Sequence, residues 1–307
     1  MKSISFSEIN NLRIDPTDCI EWATTVIKNK NDYKLPPKTS IKFNESNFFN
    51  TMPSLLPDLG VFGVKIVSRF VQNTPSLRGD IILYDYHNGE LLSLLDGTWI
   101  TAWRTGAVAA ITINTLKRKN AQSYAFIGLG NTARTTLLCL DSILNHTDLT
   151  INLLAYKNQH NEFIDRFKDY KNIHFRIFQN IKDLFLQSDV VVSCVTYTNK
   201  PLAEETDLKP GILVVPVHTR GFQNCDLAFD KIFCDHIEQI KDFKSFEHYR
   251  SVTEMTDVLN NPNFIRNDKE RIIAYNVGIS VQDIYFAKKI YDKKCSQDEQ
   301  FNKKFWV

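Results

Sequence analysis

No apolar run in this 307-residue sequence approaches the ~20 residues that a membrane-spanning helix needs. The opening stretch, MKSISFSEINNLRIDP, lacks the apolar core and small-residue cleavage site of a secretory leader, and none is expected. Neither sign of charge is in excess. Lys and Arg number 37 against 35 Asp and Glu, a formal net of +2, which gives no reason to invoke nucleic acid or a membrane surface as partner. The six cysteines, at 19, 139, 194, 225, 234 and 295, show no CxxC and no paired spacing. Several sit in apolar runs, as Cys139 does in LLCL and Cys194 in VVSCV, where a reduced core thiol is usual. A reducing cytoplasm fits that usage. Cys234-Asp235-His236 has no further donors at ligand spacing, so no metal is expected. Internal repeats and low-complexity linkers are missing too. What is present is the composition of a globular protein, 43% hydrophobic and 23% charged, long enough for one large domain or two ordinary ones.

Local patterns divide the chain. Asp15-Pro16-Thr17-Asp18 opens a helix, with Asp15 as N-cap and Pro16 in the first helical position; Pro36-Pro37 excludes helix and leads to a strand over 39–43. Met52-Pro53 is expected to close a polar loop. Strands over 61–70, 80–86 and 91–95 follow, the last two joined by a turn at Asn88-Gly89. A helix is expected from Arg104 to about Lys119. Beyond it, strands at 123–127, 150–155, 174–178, 190–195, 212–217 and 231–234 alternate with short helices, the signature of βαβ units and a parallel sheet. Residues 242–265 read as irregular helix, and a last helix starts at Ser280.

One stretch organises the rest. The strand ending at Ile127 runs into Gly128-Leu129-Gly130-Asn131-Thr132-Ala133 and then a helix. A dinucleotide needs that order: Gly128 for a tight turn, Gly130 for close approach of backbone to pyrophosphate, Ala133 for close helix packing, and free N–H groups at the helix start. A glycine turn in an ordinary βα unit would look the same locally. The second strand ends Tyr156-Lys157-Asn158-Gln159, with no carboxylate before Glu162. An acidic residue there would select NAD, whereas Lys157 attracts a 2′-phosphate, so NADP(H) is favoured over NAD(H).

Directly ahead of that unit lie Asp96-Gly97-Thr98 and Ile100-Thr101-Ala102-Trp103-Arg104-Thr105-Gly106-Ala107, with Gly63-Val64-Lys65 further upstream and Val277-Gly278 and Asp283 near the end. In that order these runs resemble the ornithine cyclodeaminase and mu-crystallin family of nicotinamide-dependent proteins. The resemblance spans most of the chain. It implies an α/β protein with a Rossmann-type parallel-sheet dinucleotide domain, residues 119–276. A smaller α+β substrate and dimerisation domain is built from N- and C-terminal segments, 1–118 and 277–307. It further implies a homodimer formed through the latter, and a small amino- or imino-acid substrate.

The resemblance also assigns roles. Lys65 would bind the substrate carboxylate and take part in proton transfer, although a lysine in an apolar strand can simply snorkel to solvent. Arg104 would pair with the same carboxylate, the alternative being an ion pair tying helix to sheet. Lys38 takes the place of a family Arg as a point charge rather than a fork. Thr196 would touch the cofactor, and Asn276 and Val277 would line the pocket. Tyr156 stands where NAD-using members carry Asp. One departure matters. Counting from Pro210-Gly211, Arg220 falls where cyclodeaminases have their general acid/base Asp. His218 then becomes the nearby proton carrier, since a histidine titrates near neutrality, and Arg220 could bind a second carboxylate. Ser280-Val281-Gln282-Asp283 reads as a capping box, with capping as the main role of Asp283.

The expected activity is therefore hydride transfer at the C–N bond of an α-amino or α-imino acid, as in a ketimine reductase. Redox-neutral ornithine cyclodeamination and non-catalytic NADPH binding are the alternatives.

Overall fold

A computed structural model describes residues 2–305, with side chains described for 2–298. The chain forms two compact units, Met1–Arg104 with Ile279–Val307, and Thr105–Gly278.

The first unit is built on a six-stranded sheet. β1 (Lys2–Ile4) leads through α1 (Phe6–Asn11) to α2 (Pro16–Lys28). Asp15 caps α2 as its sequence promised, accepting the Thr17 N–H at 2.9 Å. β1 and α1 escape pattern reading because each is too short to show a period. β2 (Thr39–Lys42), β3 (Phe48–Leu56), β4 (Val61–Arg69), β5 (Leu77–Asp85) and β6 (Leu91–Asp96) follow, in sheet order β1-β6-β5-β4-β3-β2. Only the β1–β6 pair is parallel.

Met52-Pro53 is no loop: both lie inside β3, opposite Lys65 and Val64 of β4. β2 reaches only as far as Thr51, so Pro53 sits where β3 has an open edge and a missing N–H is tolerated. The turn after β5 does carry its left-handed glycine, Gly89 at φ 73°. Asp85 braces it by accepting the N–H groups of His87 and Asn88.

α3 (Gly97–Leu116) carries the chain from the first unit into the second. It begins seven residues earlier than expected, because Asp96 accepts the N–H groups of Thr98 and Trp99 and so starts the helix. The Asp-Gly-Thr run was a cap signal as much as a motif.

The second unit is an eight-stranded, wholly parallel sheet. Its elements are β7 (Ser123–Ile127), α4 (Asn131–Ile143), β8 (Leu149–Leu154), α5 (Gln159–Asp165), β9 (Ile173–Phe178), α6 (Ile181–Leu186), β10 (Val190–Ser193) and β11 (Leu213–Pro216). Then come β12 (Lys231–Cys234), β13 (Val252–Glu254), α7 (Met255–Asn260) and β14 (Ile272–Tyr275). The order is β13-β12-β14-β11-β10-β7-β8-β9. Ala125, Phe126, Val191, Val192, Val214 and Ile273 are all fully buried, which is why these strands read as apolar runs rather than alternations. The 242–265 stretch is not irregular helix, for it contains β13 and the short α7. β14, four residues long, leaves no mark in the sequence pattern either. Both strands are too short to announce themselves.

α8 (Ser280–Phe305) returns to the first unit and packs on β3, β4 and β5. The contact is close: a Cβ on Gly63 of β4 would stand 2.8 Å from Ile284 Cδ1. Val61, Gly63, Lys65 and Val67 of β4 are all buried, while Phe62, Val64 and Ile66 are half-exposed on the opposite face. No helix of the described residues is long and apolar enough to cross a membrane.

Candidate active site

In the second unit the sheet order reverses between β7 and β10, since the chain proceeds from β7 to β8 and β9 on one side and then to β10 on the other. Such a reversal opens a crevice at the C-terminal ends of the two strands. The loop after β7 is Gly128-Leu129-Gly130. Gly128 has φ +82°, and a Cβ there would lie 2.8 Å from Cys194 C and Val195 N in the loop after β10. Glycine is required at 128 on both counts. Gly130 is exposed, and a Cβ added to it meets nothing within 4 Å, so the backbone is open to an approaching group.

Gly130 is also the N-cap of α4, and no side chain caps that end. The first intrahelical bond runs from Arg134 N–H to Gly130 C=O at 3.1 Å. The N–H groups of Asn131, Thr132 and Ala133 are thereby left without intrahelical partners. Ala133 is fully buried, and the close helix contact its small side chain permits is matched by Gly106 of α3. A Cβ on Gly106 would lie 2.5 Å from Thr135 Oγ1. An uncapped helix end, open backbone and a positive dipole suit a pyrophosphate. These residues fit a dinucleotide.

Tyr156 and Lys157 follow β8, both exposed, with Lys157 in the left-handed region at φ 48° and its ammonium 5.4 Å from the centre of the Tyr156 ring. β10 ends at Ser193 rather than 195, which places Thr196 in the following loop instead of at a strand end.

Past β14, Asn276 is buried. Its backbone N–H donates to Pro216 C=O (2.9 Å) and its Nδ2 to Asp235 Oδ1 (3.0 Å), while Oδ1 is buried without a partner. Asp235 Oδ2 accepts the Gly278 N–H at 2.6 Å, so one carboxylate fixes the 276–278 turn that carries Val277. In the sequence Asp235 stands out only as a candidate metal ligand. Its place directly after a parallel strand, where sites collect, was the signal to read instead. Among the described residues no cluster of three or more His, Cys, Asp and Glu could hold a metal ion.

His218 and Arg220 lie in the loop after β11. His218 Nε2 is 2.7 Å from Ser193 Oγ, and its Nδ1 accepts the Arg220 N–H at 3.3 Å. Nδ1 is therefore the unprotonated nitrogen and Nε2 bears the hydrogen. Burial pushes its pKa down to about 4, so it is neutral at physiological pH. Arg220 is exposed and stacks over Tyr197, 4.9 Å from the ring centre.

In the first unit, Lys65 and Arg104 come together. Lys65 is 2% exposed and Arg104 5%. Lys65 Nζ is 2.7 Å and Arg104 Nε 3.0 Å from the same atom, Oδ1 of the fully buried Asp283. Arg104 Nη1 also donates to Gln282 Oε1 at 3.3 Å. The capping role expected for Asp283 is overturned: its carboxylate is spent on the two cations, and the Ser280 hydroxyl donates to Pro53 C=O instead of capping α8. Burial lowers the Lys65 pKa to about 8, Asp283 working against that fall and Arg104 adding to it. Lys38 stands exposed just ahead of β2.

A parallel sheet with a dinucleotide loop and a separate unit holding a buried cation pair define a class, the two-unit dinucleotide-binding proteins. The profile of the ornithine cyclodeaminase/mu-crystallin family matches residues 7–298, and the chain belongs to that family. A Δ1-pyrroline-2-carboxylate reductase of Bacillus cereus is 25% identical over 325 residues, spanning 97% of this chain and 98% of that protein. The structure of Thermococcus litoralis Δ1-pyrroline-2-carboxylate reductase in complex with NADH and L-proline matches with a TM-score of 0.85 at 22% identity, over 97% of this chain and 98% of the other. An archaeal alanine dehydrogenase dimer with bound NAD matches at 0.84 and 21% identity, over 97% of each chain.

Proposed function

We propose that the protein is an NAD(P)-dependent oxidoreductase transferring hydride at the C–N bond of an α-imino or α-amino acid, with Δ1-pyrroline-2-carboxylate representing the substrate class. The observation that carries this is the buried pair Lys65 and Arg104 sharing one counter-ion, a net positive charge held ready for a substrate carboxylate. The first unit holds the substrate. The second unit holds the dinucleotide through Gly128, Gly130, the N–H groups of Asn131, Thr132 and Ala133, and Thr196 and Asn276. The nicotinamide, when bound, supplies or accepts the hydride. Holding the carboxylate in one orientation provides much of the rate enhancement. Proton delivery to the nitrogen falls to Lys65, an acid still charged at neutral pH, rather than to the neutral His218 or to Arg220, which cannot give up its proton.

The test is loss of NAD(P)H absorbance on adding Δ1-pyrroline-2-carboxylate to the purified protein, abolished in Lys65→Ala. Ammonia release from ornithine with no lasting absorbance change would instead establish cyclodeamination. Tight NADPH binding without turnover of any amino or imino acid would establish a binding protein.

NADP(H) is the favoured cofactor, because Tyr156 and Lys157 replace an acidic residue after β8. A lower KM for NADH than for NADPH would reverse that choice. A homodimer is expected through the outer face of the first unit's sheet, where Phe62 and Tyr84 stack at 5.1 Å beside half-exposed Val64, Ile66 and Ile82. Sedimentation at the mass of one chain would contradict it. None of the six cysteines, all among the described residues, is in a disulfide, which suits a cytoplasmic protein.

A further inference from the structure

Within the first unit, two buried cations face a single buried anion. Lys65 projects from mid-β4, Arg104 from α3 and Asp283 from the first turn of α8. Asp283 Oδ1 takes both donors, at 2.7 and 3.0 Å, while Oδ2 is buried without a hydrogen-bond partner. The strand neighbours of Lys65, Met52 on β3 and Ile81 on β5, are uncharged, so the charges facing it are those of Asp283 and Arg104.

We propose that Asp283 is the positioning residue of this cluster, a shared counter-ion that keeps Lys65 charged beside Arg104, so that two cationic donors face one substrate carboxylate. The carboxylate part of this statement rests on the function proposed above; the charge-holding part does not. Two ammonium-type charges this deeply buried repel each other at low dielectric, and each loses its hydration. Of the two only lysine can shed its proton at accessible pH. Without Asp283 the cluster would relieve itself by neutralising Lys65, and the grip on a carboxylate would weaken. With Asp283 in place, the lysine's lowered pKa of about 8 still leaves it mostly charged at neutral pH.

The test reads Lys65 directly. In protein carrying carbon-labelled lysine, its Cε resonance is assigned by its loss in Lys65→Met and titrated by NMR. The wild type should titrate near pH 8, Asp283→Asn at least about one unit lower, and Arg104→Met higher, since Asp283 then serves Lys65 alone. In turnover at pH 8, kcat/KM for Δ1-pyrroline-2-carboxylate should fall about fivefold or more in Asp283→Asn, as the charged fraction of Lys65 drops from about one half to about one tenth. A purely structural Asp283 would not move the titration. An unchanged Lys65 titration in Asp283→Asn overturns the proposal; if that variant fails to fold, Asp283→Ser decides by the same downward shift. If Lys65 titrates as stated but the wild type turns nothing over, the functional proposal fails and the role of Asp283 stands.

Discussion

Replacing Gly128 with alanine tests whether the loop after β7 is built for a dinucleotide or is only a tight turn. Two costs add in the folded protein. A non-glycine residue in the left-handed region loses about 1–2 kcal/mol, and the φ of +82° at Gly128 leaves no escape. The new methyl would also stand 2.8 Å from Cys194 C and Val195 N, backbone atoms that cannot swing aside. Overpacking of that kind costs about 1–3 kcal/mol. The sum, about 2–5 kcal/mol, should lower the melting temperature by roughly 5–15 °C for a unit of this size. The companion variant is Gly130→Ala. There φ is −87° and nothing lies within 4 Å of the new methyl, so the ligand-free stability should move by less than about 0.5 kcal/mol. Its affinity for NAD(P)H, followed by fluorescence titration, should nevertheless fall by about tenfold or more, because the methyl occupies the approach to the pyrophosphate. The reasoning is refuted if Gly130→Ala binds NAD(P)H as the wild type does, or if Gly128→Ala melts at the wild-type temperature.

Gly106→Ala drives a methyl to within 2.6 Å of Thr135 C and 2.7 Å of Thr136 N, so α3 and α4 must part; a loss of about 1–3 kcal/mol is expected in urea unfolding, and wild-type stability would show that the helices yield freely. Asp235→Asn sets an amide against Asn276 Nδ2 or the Gly278 N–H, costing about 1–3 kcal/mol and loosening NAD(P)H binding; equal affinity and stability would remove Asp235 from the site. His218 should shape the acid limb of stability. Its folded pKa of about 4 lies below the ordinary 6.5, so between those values the unfolded chain binds the extra proton and stability falls as pH drops. His218→Gln should flatten that fall by on the order of 2–3 kcal/mol between pH 6.5 and 4, and an identical pH profile of urea midpoints would refute the assignment.

What was legible beforehand was whatever a short window encodes. Asp15-Pro16 starts a helix by local capping, Asn88-Gly89 turns the chain by local dihedral freedom, and Ser123 to Ala133 sets strand, glycine loop and helix in the one order a dinucleotide can use. The alternation of short apolar runs announced the parallel sheet because strands covered on both faces carry no polar positions. Tertiary contact settled the rest. Pro53 is in a strand because the neighbouring strand stops short of it, a fact about β2 and not about Pro53. Asp283 lies 218 positions from Lys65 and 179 from Arg104, and no local pattern could tell a first-turn aspartate that caps its helix from one that neutralises two cations. The sequence by itself determined the class of fold and the glycine loop between β7 and α4, since these follow from neighbours along the chain. Which charges face each other in the interior of the first unit was decided only by packing, because burial turns an ordinary carboxylate into the shared counter-ion of two positive charges.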